Sequence, residues 1–210
     1  MTNTRTIATL IALTFLPMAA RAQATIPGLM PLETETRLAL EAAPPHLRAG
    51  AAVYALREHG FEQVRESTNG FTCMVYRDHP LALKPTCWDA EGTRTIVPRA
   101  LWLGEQLMRG VPLAEIERQM EEGFRTGRWV PPARPGVAYM LSPNIRNVNH
   151  ATGEFRSFPP HVMFYAPGLT DADIGTADEV SEGLPFIDYQ GPHGYMIVMP
   201  RRPPEPSASR

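Results

Sequence analysis

The side chains of this sequence best suited to chemistry are its histidines, methionines and two cysteines, and the most suggestive of them lie in the C-terminal half. His161 and Met163 are two residues apart in an apolar run, a spacing that puts both on one face of a strand. His193 and Met196 open the last apolar run, and Met199 closes it. Imidazole and thioether groups from paired strands would suit copper, the reduced ion above all. His161, Met163, His193 and Met196 are therefore the candidate metal ligands. The same residues also have an ordinary reading: methionine fills irregular core space, and a histidine at a strand entry bonds a backbone carbonyl.

An acid–base reading uses His161, His193 and Asp188 as candidate catalytic residues. His150 and Glu154 are possible partners, and Tyr139 and Tyr165 possible donors to a developing negative oxygen. The sequence has no His-Glu-x-x-His helix and no Gly-x-Ser-x-Gly elbow, which removes the standard zinc-protease and serine-hydrolase patterns. Asp171, Asp173 and Asp178 fall in an acidic loop that lacks the glycine and terminal glutamate of a calcium loop. Trp129, beside Pro131 and Pro132, is an expected core or groove-rim residue.

Cys73 and Cys87 enclose a loop of 15 residues, ends included. A disulfide across that span is worth about 3 kcal/mol in the chain-entropy account. The spacing is neither the Cys-x-x-Cys of a redox pair nor that of a zinc knuckle.

The elements that must position these groups follow from periodicity. Helices are expected over 33–43, 98–108 and 112–124. Pro44-Pro45 stops the first, Pro98 opens the second, and Leu113, Ile116, Met120 and Phe124 form the apolar stripe of the third. Residues 52–56, 61–65 and 71–76 read as three strands of an antiparallel meander, with Glu58-His59-Gly60 and Asn69-Gly70 as turns. Further strands are expected at 137–141, 161–165 and 195–199, with 142–157 a loop. Strands interrupted by one helical block give an α+β class: a mainly antiparallel sheet covered by a central helix pair, in a single domain.

Arg5, the apolar run Ile7–Leu16 and the small residues up to Ala22 read in order as a secretory signal. The run is too short to cross roughly 30 Å of hydrocarbon as a helix. The expected organisation is a cleaved signal at 1–22, an exported globular domain at 23–200 and a disordered tail at 201–210. Removing the first 22 residues leaves 188 and takes Arg5 and Arg21 but no acid, moving the formal net charge from -2 to -4. Such a charge gives no footprint for nucleic acid. The expected product is soluble, periplasmic or extracellular, with no stable membrane insertion. Its expected partner is a small molecule or a protein, and its function that of a noncatalytic binding or structural protein. The enzyme and copper readings above are the alternatives. Expression in a secretion-competent bacterium should give a chain beginning at or near Gln23 by intact mass and N-terminal sequencing. Retention of residues 1–22 in a membrane fraction would contradict the signal.

Overall fold

The structure is a computed structural model in which residues 25–150, 152–176 and 184–199 are described. The expected signal and tail lie outside the described residues. The chain begins with α1 (Leu32–Glu41) and a single turn, α2 (Pro45–Arg48). Next come β1 (Ala52–Arg57), β2 (Gly60–Arg65), β3 (Thr72–Tyr76) and β4 (Lys84–Trp88). The helical block is α3 (Ala90–Thr95), α4 (Val97–Met108) and α5 (Leu113–Arg125). The second half holds β5 (Val137–Met140), β6 (Arg146–Val148), β7 (Phe155–Ser157), β8 (His161–Tyr165), β9 (Phe186–Asp188) and β10 (Tyr195–Val198). This is the expected α+β domain: an eight-stranded, mostly antiparallel sheet in the order β2-β1-β3-β4-β5-β8-β10-β9, with α4 and α5 along one face.

The meander is corrected. β1 and β2 form the expected antiparallel hairpin, but β3 pairs with β1 on its other edge and runs parallel to it. The composition of the strands explains this. β2 is largely solvent-facing, as suits an edge, whereas four of the five residues of β3 are buried, as suits a strand covered on both faces. The link from β2 passes under the start of β1, where Thr68 N donates to Gly50 O at 2.8 Å and Ala52 N to Phe71 O at 2.8 Å. Gly70 turns it with φ of 81°.

β4 falls in the segment between Cys73 and Cys87, whose lack of regular periodicity reads as a loop, and it carries Pro85 in a strand with neighbours on both sides. Pro85 faces Val75 of β3, but β5 reaches only Cys87 and Trp88. The missing N–H therefore lies in the part of β4 that β5 does not pair. Residues 142–157, likewise expected to be a loop, contain the β6–β7 hairpin, whose Arg146 is bridged to Leu83 just before β4.

The sheet has two different faces. On one, Met74, Trp88, Ala138, Met163 and Ile197 pack against Ile96, Val97 and Ala100. On the other, Val53, Cys73, Val75 and Cys87 pack under Leu38, Ala39 and Ala42 of α1. The Cys73–Cys87 disulfide is present, with Cα atoms 4.0 Å apart. It joins directly opposed residues of β3 and β4. Beneath α1, the fully buried Glu35 accepts from Leu56 N at 3.0 Å and from the Arg57 guanidinium at 2.9 Å, with Arg77 at 3.9 Å.

The helical block leaves the sheet at Asp89. Its carboxylate accepts from Gly92 N at 2.9 Å, capping α3, from Val137 N at 2.9 Å at the start of β5, and from the Tyr165 hydroxyl at 2.7 Å on β8. A Cβ at Gly92 would collide with the Tyr165 hydroxyl, and one at Gly136 with the Asp89 carboxylate, so both glycines are needed for this closeness. Replacing Asp89 by alanine removes a cap worth about 1 kcal/mol. It also strands donors at about 1–3 kcal/mol each. Asp89→Ala should lower unfolding free energy by about 3 kcal/mol or more, measured by urea denaturation. A loss below about 1 kcal/mol would show that the junction does not depend on this carboxylate.

Candidate functional site

Between α4 and α5 and the sheet lies a cavity of about 470 Å³. Its sheet side is built from alternate residues of successive strands: Tyr76, Trp88, Met140, Met163 and Ile197 share this face because strand side chains alternate. Its helical side is Ile96 at the α3–α4 junction, Leu103 from α4, and Leu113, Ile116 and Met120 from α5. The stripe expected on α5 thus serves partly as core and partly as cavity wall.

Arg99 enters this apolar space from the first turn of α4. It is 7% exposed, and no Asp or Glu oxygen lies within 4.0 Å of it among the described residues. Its Nε donates to His193 Nδ1 at 3.0 Å, and Nη1 points at the Met120 sulfur at 3.0 Å. The Tyr189 ring lies 5.8 Å away, and the Tyr76 side chain also interacts with it. A guanidinium is charged at any physiological pH.

His193 stands behind Arg99. It is fully buried, and its Nε2 lies 3.0 Å from Val130 O. Because Nδ1 accepts from Arg99, Nε2 must carry the proton and donate to that carbonyl. Both ring nitrogens are thereby committed to the protein. Burial, together with the charge of Arg99, pushes the imidazole down to about 4. His161 is on the β8 floor of the same cavity, with Nδ1 2.8 Å from Pro159 O and Phe158 edge-on at 4.7 Å. Burial outweighs the carbonyl and lowers its pKa. Asp188 lies on the cavity wall at the sheet edge and is exposed.

The cavity thus brings His161, His193, Asp188 and Met163 to one space but hydrogen-bonds none of them to another among the described residues. Met196 is not with them. It pairs with Phe164, on the opposite sheet face from Met163 and Ile197, so the four-residue copper set does not converge. Among the described residues, no three His, Cys, Asp or Glu side chains come together as a metal site. The tyrosines singled out as donors are also elsewhere. Tyr165 is bound to Asp89, and Tyr139 packs on the α1 face beside Cys87. Tyr76, Tyr189 and Tyr195 take their place in the cavity. Trp129 is buried against Trp102 at 5.3 Å and does not form a rim.

At one side of the cavity Asp78 joins Lys84 and His150, and His150 Nδ1 is also 3.8 Å from Glu117 of α5. Burial would raise the Asp78 carboxyl, but hydrogen bonds and charge from His150 and Lys84 hold it down at about 2. The bond to Asp78 raises His150 against the effect of its own burial. His150 therefore meets Asp78 and Glu117, not the Asp188 or Glu154 considered from sequence.

Arg99 was missed in the sequence, although a signal exists: it lies three residues after Ile96 and four before Leu103, on the buried stripe of an apolar helix. A charge at such a position is buried. No family model, curated protein or solved structure matches the chain.

The histidines should separate in an NMR titration. His150 should titrate above its ordinary value of 6.5, His161 below it and His193 at about 4. Because the folded pKa of His150 is raised, its contribution to stability is full below about pH 6.5 and is lost as pH rises through the folded value. The depressed Asp78 contributes above about pH 4 and loses its contribution as pH falls toward about 2. A His193 that titrates near 6.5 would contradict its burial against Arg99.

Proposed function

We propose that the protein is an exported binding protein that holds a small, largely apolar molecule in the cavity between α4, α5 and the sheet. The observation that carries this reading is the cavity itself. At about 470 Å³ it falls within the roughly 300–1,000 Å³ of small-molecule sites, with an apolar wall and a few convergent polar groups. The signal-like N-terminus and a disulfide suited to an oxidising compartment support export to the periplasm or beyond. Among the described residues no helix is long and apolar enough to cross a membrane. An acid–base role for this cavity would run through His161, whose Nε2 has no hydrogen-bond partner among the described residues. His193 has no free ring nitrogen to offer.

The test is titration of the mature, oxidised protein with the uncharged fluorescent dye N-phenyl-1-naphthylamine. Saturable 1:1 binding, with Kd on the order of micromolar, is expected. Leu113→Trp, which fills the cavity from the first turn of α5, should weaken it about tenfold or more without changing the far-UV circular dichroism. Non-saturating fluorescence, or binding indifferent to Leu113→Trp, would reject the cavity as the ligand site.

A further inference from the structure

Building on the binding reading above, we infer that the ligand is an organic monocarboxylate, with its carboxylate on Arg99 and an apolar body along the methionine, tryptophan and isoleucine wall. Arg99 brings a permanent positive charge into the cavity, and the groups in direct contact with it are neutral. The imidazole of His193 accepts its Nε–H, the Met120 sulfur faces Nη1, and aromatic rings flank it. Burial raises the hydroxyls of Tyr76, Tyr189 and Tyr195, so none of these supplies a negative charge at neutral pH. An isolated buried charge is costly unless something pairs with it. The contrast within the same molecule is direct: Arg57 and Arg77, also drawn inward, both face the buried Glu35.

The charge of the ligand follows from the other ionisable groups of the cavity. Among the described residues the other cationic side chains on its wall, Lys84 and His150, are both tied to Asp78. Asp188, Glu117 and Glu121 are exposed acids on the same wall and repel a second negative charge. Among the described residues Arg99 is the one cationic side chain of the cavity wall with no acid within 4.0 Å, and with exposed acids on the same wall a single negative charge fits better than the two of a phosphate monoester. The planar guanidinium also matches a carboxylate in geometry. Trp88, Met163 and Ile116 make their stretch of the wall apolar, and the polar side chains Thr86 and Asn147 line the cavity elsewhere. An aryl or aliphatic chain fills the apolar stretch.

The experiment is displacement of N-phenyl-1-naphthylamine from the mature protein by matched pairs: octanoate against octan-1-ol, and 4-phenylbutanoate against 4-phenylbutan-1-ol, with octyl phosphate alongside. Each carboxylate should displace the dye at a concentration at least about tenfold lower than its alcohol, and octyl phosphate should be weaker than octanoate. Arg99→Met should bring the carboxylate-to-alcohol ratio to about one, each displacement being corrected for the variant's own measured dye affinity. Equal displacement by acid and alcohol in the wild type, with the dye still bound, overturns the carboxylate assignment and leaves the cavity reading standing. Octyl phosphate tighter than octanoate overturns it also. Failure of the dye to bind removes both readings together. The wild-type ratios decide the matter even if Arg99→Met does not fold.

Discussion

Three elements meet at one carboxylate, and the position of the cavity depends on that meeting. Asp89 ends β4, caps α3 and holds the first residue of β5 and the Tyr165 hydroxyl of β8. The angle at which the helical block departs from the sheet is therefore set by hydrogen bonds to the sheet itself, not by helix packing alone. α4 follows α3 almost directly, so its first turn, with Arg99, comes over the sheet face in a fixed place. Gly92 and Gly136 belong to the same constraint, since a side chain at either would push Tyr165 or Asp89 away.

The molecule treats buried charge in two ways. Under α1, Glu35 is opposed by two arginines and a backbone amide, so the buried acid has its counter-charges within the protein. Under α4, Arg99 is oriented by a neutral histidine whose proton is fixed on a carbonyl. The first arrangement holds a helix to a sheet. The second orients a charged group that has no acid within 4.0 Å among the described residues. His193 does its part by being neutral: a protonated imidazole could not accept the Arg99 Nε–H.

Much of the frame was legible because its signals are local. The Leu113, Ile116, Met120 and Phe124 stripe, the proline at the start of α4 and the apolar run at His161–Tyr165 each fix their element with no help from distant residues. The expected α+β class and the Cys73–Cys87 bond followed from these and from residue type. What was not legible depends on neighbours. The edge of β1 that β3 takes is decided by burial on both faces, and β4 tolerates Pro85 because β5 stops short of it. The candidate site was half legible. His161 and Met163 do face one space, as their spacing requires, but Met196 falls on the other face because register with β8 pairs it with Phe164. His193 drew notice as a possible reactive group, and only its two partners reveal a positioning role. Arg99 was lost among many arginines in a chain with one lysine.

The disulfide has an effect at a distance from its own sheet face. Cys73 and Cys87 enclose the chain segment that carries Asp78 and Lys84, the ion pair at one side of the cavity. Once the bond is closed, those two charges belong to a small covalent ring even in an unfolded chain, and the entropy of bringing them together is largely spent beforehand. His150 and Glu117 come from far along the sequence and have no such tether. In polymer terms the cavity has one wall of low contact order, assembled inside a ring, and others that must find it across the chain.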